Sequence, residues 1–157
     1  MKYLPYGKYD LEFFMIEVKW FPEGVIDSSF TSIRKEVFVK EQGVDENNEF
    51  DELDKEVPHL VIFEDGFPVA TGRIIPYKDK AVKLGRIAVI KEKRGQGFGE
   101  KIVLELIEKA KQDGATAIYL GSQAHAVGFY EKCGFELLGT EMYLEEEIEH
   151  FDMVMWV

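Results

Sequence analysis

The segment from Glu92 to Lys109, EKRGQGFGEKIVLELIEK, constrains the fold more than any other stretch of the chain. It packs Gly95, Gly97 and Gly99 into five consecutive positions and then becomes an apolar-periodic run. Ile102, Val103, Leu106, Ile107 and Ala110 keep i, i+3, i+4 spacing, so a helix is predicted over about 97–113, with Gly114 placed to stop it. The first N–H groups of a helix have no partners within it, and the aligned peptide dipoles add about half a positive charge there. Glycines at that point let the backbone curl and let an anion approach with no β-carbon in the way. Arg94 adds a fixed positive charge at the entrance. The segment reads either as a plain strand-to-helix turn or as an anion cradle.

Counting excludes two familiar phosphate loops. The dinucleotide fingerprint needs a third glycine three places after the second, and counting from Gly97 reaches Glu100. The P-loop ends in Gly-Lys-Ser/Thr, whereas this loop ends Gly99-Glu100-Lys101.

The rest of the chain supplies a core and a sheet. Its 157 residues suit one domain spanning 1–157, and 46% apolar residues with 13% aromatics can fill a core. A net charge of −11 repels phosphate backbones, so no nucleic-acid partner is expected. No apolar run is long enough for a membrane span, and residues 1–10 show no secretory signal. With Cys133 as the single cysteine, no internal disulfide framework exists, and a cytoplasmic location is expected.

Strands are predicted over 11–20 and 81–90, and a hairpin over 59–75 turns at Asp65-Gly66. A helix is predicted over 27–43, with Asp27 or Ser28 as cap, an apolar face of Phe30, Ile33, Val37 and Phe38, and Gly43 at its end. The segment 45–56 holds seven acids and one lysine and reads as a solvated loop or short helix. Asp45, Asn47, Glu49 and Glu56 fall at calcium-loop spacing, but Phe50 stands where that loop needs its turn glycine, so no metal is expected. A buried strand at 116–122, a short helix within 123–135 and two strands, in 135–147 and 149–157, complete the chain. That order is a mixed α/β sheet with helices on both faces.

Two motifs now combine. Arg94-x-x-Gly97-x-Gly99, directly after the strand LGRIAVI, resembles the acyl-CoA pyrophosphate loop of the GNAT superfamily of N-acetyltransferases. The FYEKCGF of 129–135 resembles that family's next signature, in the right order and on the right elements. The resemblance covers roughly residues 59–144, and IRKEVFVKEQGVDENNEFDELD, 33–54, resembles the ElaA/YjcF-like branch. It implies a splayed mixed sheet of about seven strands and an acetyl-CoA cosubstrate whose acetyl group passes to a primary amine by direct attack. Two alternatives stay open: a non-catalytic acyl-CoA-binding module, and an enzyme like the acyl-homoserine-lactone synthases, which share an Arg, Val-Phe and acidic pattern.

The resemblance also assigns roles. Arg94, Gly95, Gln96, Gly97, Phe98 and Gly99 would hold the pyrophosphate. Ile87, Ala88 and Val89 would line the pantetheine arm, with a backbone N–H near Val89 bonding the thioester carbonyl. Phe129 and Tyr130 would complete the cofactor site, and Tyr130 would hydrogen-bond the departing sulfur. Full proton transfer from a phenol near pKa 10 to a thiolate near 8.5 is uphill by about 2 kcal/mol. Many members carry a glutamate base on the strand before the loop, but AVKLGRIAVI has no carboxylate. His125, just past the strand at 117–121, is the first candidate base, and His59 and His150 are further candidates that read more readily as structural. Arg34, Glu41 and Glu49 are candidates for the acceptor pocket, and Cys133 reads as a small buried hydrophobe. The acceptor would be a small-molecule or peptide amine, and exposed C-terminal strand edges make a homodimer reasonable.

Overall fold

The structure, a computed structural model, describes residues 15–157. The N-terminal residues in which no signal is read, and positions 11–14 of the first predicted strand, lie outside the described residues. Eight strands form one mixed sheet. They are β1 (Ile16–Phe21), β2 (His59–Glu64), β3 (Phe67–Pro76), β4 (Ala81–Val89), β5 (Ala117–Gln123), β6 (Glu136–Leu137), β7 (Tyr143–Glu145) and β8 (Ile148–Trp156). Along the sheet the order is β1-β2-β3-β4-β5-β8-β6, and β7 also pairs with β8. Among the described strands only β4 and β5 run parallel, and α3 (Phe98–Gln112) crosses between them.

Alternation along β2 assigns the two faces. Leu60 and Ile62 pack with the α3 residues Ile102, Val103 and Leu106. Val61, one position out of phase, packs with Phe30, Ile33 and Val37 on the opposite face. The second face is covered by α1 (Ser28–Arg34), which Asp27 caps through its carboxylate and the Ser29 N–H at 3.0 Å. Each fully buried Ile or Leu of these clusters contributes about 1.5–3 kcal/mol.

Three expectations are revised. The helix of 27–43 is α-helical only to Arg34 and continues as a π-helix over Lys35–Glu41, with Gln42 N–H donating to Val37 O at 3.1 Å. The acidic segment 45–56 forms α2 (Glu46–Glu49) and a 3₁₀ turn (Glu52–Lys55), and it is not simply solvated, because Glu49 and Asp54 are buried. The strand expected in 135–147 splits into β6 and β7, while the sheet of eight described strands agrees with the expected mixed sheet of about seven. The β7–β8 turn is made by Glu146 and Glu147, both left-handed at φ 52° and 63°, a conformation that glutamate disfavours and that sequence reading misses.

Candidate active site

The site begins where two strands part. β4 and β5 pair from Ala81 and Ala117 to Leu84 and Leu120 and no further. On the other edge of β4 the register with β3 slips, from Arg73 opposite Gly85 to Thr71 opposite Ala88. Arg86 and Ile87 thus oppose the single residue Gly72, and Arg86 takes a left-handed φ of 53°. Such a bulge adds local twist and turns the rest of the strand away. A groove of about 840 Å³ opens there, lined among others by Ile87, Ala88, Val89, Gly121, Phe129 and Tyr130. Ile90 N–H donates to Val69 O at 3.0 Å, so by alternation the main chain of Val89 faces away from β3, toward the groove. Arg94 Nε takes the Val89 carbonyl at 3.0 Å and leaves its N–H.

At the groove mouth α3 starts without a cap. Asp27 caps α1 and Asp45 caps α2, but Gly97, the residue before α3, has no side chain to do so. It sits at φ 87° after Gly95 at φ 75°, a conformation that a β-carbon would strain. The first α3 hydrogen bond runs from Lys101 N–H to Gly97 O at 3.0 Å, so the N–H groups of Phe98, Gly99 and Glu100 have no helical acceptor. Arg94 and Gly99 line the groove. The Phe98 side chain instead enters the core under α3, and Gln96 is exposed with its amide donating to Glu92 O at 3.4 Å.

Tyr130 lies on α4 (Val127–Lys132), which follows β5 through a 3₁₀ turn at Ala124–Ala126. Its ring is 9% exposed, packs edge-on to Phe129 and Phe135, and lines the groove. Burial pushes its phenol above the ordinary value. His125 sits in the 3₁₀ turn at the groove rim, exposed, with no hydrogen bond among the described residues to fix its ring.

The three residues expected to shape an acceptor pocket part company. Glu41 grips Arg94 at the groove mouth, with both carboxylate oxygens bonded at 2.6 and 2.7 Å. Arg34 is fully buried beneath the groove wall. It donates to Glu49 Oε2 at 2.9 Å, to Glu49 O at 2.7 Å and to Asp54 Oδ1 at 2.6 Å. Glu49 reaches the groove and pairs with Arg86 Nε at 3.0 Å, and burial pushes its carboxyl up.

Sequence reading missed most of this network. Arg73 bridges Asp51 at 2.8 Å and Asp54 at 2.7 Å, and Arg86 also bonds Glu49 O at 3.1 Å. Three arginines, Arg34, Arg73 and Arg86, thus face three carboxylates, Glu49, Asp51 and Asp54. Of the positions that suggest a calcium loop, Glu49 supplies a guanidinium partner and Asp45 caps α2. No run within 45–56 signals this, because the arginines arrive from α1, β3 and β4.

The Acetyltransferase (GNAT) family model matches residues 26–135. The chain is similar to a Bacillus subtilis protein named as an uncharacterized N-acetyltransferase, YjcF, with 42% identity over 123 residues, 78% of this chain and 86% of that one. The crystal structure of Escherichia coli ElaA superposes with a TM-score of 0.79 at 27% identity, covering 90% of this chain and 99% of the other. An acyl-CoA N-acyltransferase from Pseudomonas aeruginosa superposes with a TM-score of 0.78 at 28% identity, again over 90% and 99%.

Proposed function

The chain belongs to the GNAT acetyltransferase family and is an acyl-CoA-dependent N-acyltransferase; on that premise we propose that it moves an acetyl group from acetyl-CoA to a primary amine by direct attack. One observation carries the reading. The groove that opens where β4–β5 pairing ends runs past Val89 to Gly99 at the uncapped start of α3, and Tyr130 lines it.

The residues fit such a cosubstrate. Acetyl-CoA supplies, when bound, a diphosphate to be held and an acyl carbon activated by its thiol leaving group. The N–H groups of Phe98, Gly99 and Glu100 donate to the diphosphate, and Arg94 adds charge. The free edges of β4 and β5 offer main-chain groups to the amides of the pantetheine arm. Val89 N–H donates to the thioester oxygen and strengthens that bond as negative charge gathers there. Tyr130 donates a hydrogen bond to the sulfur. Its raised pKa makes complete proton transfer costlier than for an ordinary phenol, so it acts by stabilising developing thiolate charge.

Glu145 and Glu146 line the groove and carry no arginine partner among the described residues, which favours a cationic acceptor, a small amine or an amine on a peptide. Titration calorimetry with coenzyme A, followed by thiol release from acetyl-CoA over a panel of primary amines, tests the proposal. Association at or below micromolar ligand and thiol release with at least one amine are expected. No association at millimolar coenzyme A, or association without thiol release on any amine, overturns it.

A further inference from the structure

β4 brings no carboxylate to the reacting end of the groove, so the proton of the attacking amine needs another acceptor. Among the described residues, His125 and His150 are the histidines that line the groove. They differ in how the ring is held.

His150 lies on β8, opposite Gln123 of β5 on one side and Tyr143 of β7 on the other. It is 7% exposed. Its Nδ1 is 2.7 Å from Ile148 O. A carbonyl oxygen only accepts, so Nδ1 carries the hydrogen, and the neutral ring keeps its lone pair on Nε2. Nε2 makes no hydrogen bond among the described residues, and it lies 3.6 Å from the Glu145 carboxylate on a residue that lines the groove. The ring stacks on Tyr143 at 5.6 Å, and the Tyr143 hydroxyl donates to Asp152 at 2.9 Å. A β-carbon at position 121 would collide with that hydroxyl, so Gly121 makes the arrangement possible. The titratable groups around the ring are Glu145 and Tyr143 on β7, Glu146 in the turn, and Asp152 on β8 through Tyr143, while β5 offers the neutral Gln123. His125 has none of these constraints.

We propose that His150 Nε2 is the general base of the acyl transfer, with its tautomer set by the Ile148 carbonyl and the Glu145 carboxylate beside it. The amine nitrogen bonds the acyl carbon, the C–S bond breaks with its electron pair on sulfur, and the nitrogen's surplus proton passes to Nε2. The sulfur leaves as a thiolate hydrogen-bonded by Tyr130, and His150 releases its proton to solvent. Glu145 and the Ile148 carbonyl are positioning groups. This assignment rests on the reading of the chain as an N-acyltransferase that uses amines.

Two measurements on the full chain test it. Long-range ¹⁵N–¹H spectra of the free protein at about pH 8, with His150 assigned by His150→Gln, are expected to show Nδ1 protonated and Nε2 bare. An Nε2–H tautomer overturns the proposal. The second is the pH dependence of kcat at saturating acetyl-CoA and primary alkylamine. His150→Gln is expected to lower kcat by about a hundredfold or more and to abolish an acid limb. Coenzyme A affinity by calorimetry should stay within about threefold. If that variant does not fold, Glu145→Gln keeps the ring but removes the carboxylate beside Nε2, and it is expected to lower kcat by about threefold or more with coenzyme A affinity unchanged. Overturning outcomes are wild-type kcat and limb in His150→Gln, wild-type kcat in Glu145→Gln, or loss of the limb in His125→Gln instead. A wild-type protein that binds coenzyme A and releases no thiol with any amine defeats the acyl-transfer reading itself, and this assignment with it. Turnover that survives His150→Gln defeats only the assignment.

Discussion

Arg94 and Glu41 clasp each other across the mouth of the groove, both guanidinium Nη atoms donating to the carboxylate at 2.6 and 2.7 Å. Glu41 ends the π-helical stretch on one wall, and Arg94 opens the glycine loop on the other. The hydrogen bond from Arg94 holds the Glu41 carboxyl below its ordinary value, so it stays ionised wherever the protein works. A diphosphate entering the loop meets an arginine already paired with a carboxylate. Because the pair is partly exposed, its worth is small, and Glu41→Gln is expected to tighten coenzyme A binding by about two- to fivefold. Calorimetry at low and high salt checks this, and weaker binding in the variant would show that Glu41 orients Arg94 for the ligand.

Tyr130 acts late in the proposed reaction, when charge reaches the sulfur. Removing a hydrogen bond to a charged atom costs about 1.5–3 kcal/mol, so Tyr130→Phe should lower kcat by about 10- to 100-fold. The phenyl ring keeps the packing against Phe129 and Phe135, so thermal stability and coenzyme A affinity should hardly change. Steady-state kinetics beside calorimetry separates the two effects.

Asp54 joins Arg34, Arg73 and His59 beneath the groove wall. Burial alone would raise its carboxyl, but hydrogen bonds from His59 and Arg34 and the charge of Arg34 outweigh that and hold it far below 3.8. A carboxyl depressed on folding adds stability that is full above its unfolded value and is lost as pH falls below it. Asp54→Asn should therefore cost about 3 kcal/mol at pH 7, where it leaves buried arginines short of a charge. The gap between wild type and variant should shrink as pH drops below about 4. Glu49, raised by burial, titrates with the opposite sign, so the variant comparison isolates Asp54. Urea unfolding at pH 7 and pH 3 measures it.

Glu147 sits at φ 63° in the turn before His150, next to Glu146 at φ 52°. A left-handed residue with a β-carbon costs about 1 kcal/mol or more. Glu147→Gly should raise the melting temperature by about 2–4 °C, while Glu146 keeps its contact from Asn48 at 3.4 Å. An unchanged or lower melting temperature would mean that the hairpin stores no such strain.

Much of the architecture is legible in residues close together in the chain. Asp65-Gly66 turns the β2–β3 hairpin at φ 50° and 83° because these two residue types tolerate left-handed backbone. The apolar spacing from Ile102 to Ala110 places one buried stripe on α3. The loop from Arg94 to Gly99, read with Tyr130 and its neighbours, identifies the family, because the loop geometry is local and the second motif lies one strand away. The π-helical stretch over Lys35–Glu41 is not legible, because its apolar residues also satisfy an α-helical spacing.

The sequence by itself determined most of the strands and helices and which family the chain joins, since each of these rests on turns, caps and periodicities spanning a few residues. Only the tertiary structure decided what the acidic segment pairs with and which groove histidine has its ring held in place. Arg34, Arg73 and Arg86 meet Glu49, Asp51 and Asp54 because the bulge in β4 and the register of β3 bring them together. His150 acquires its tautomer and its carboxylate from a hairpin whose turn residues carry no turn signal. Charge pairing and ring orientation act over a few ångströms in space, and chain distance does not record that closeness.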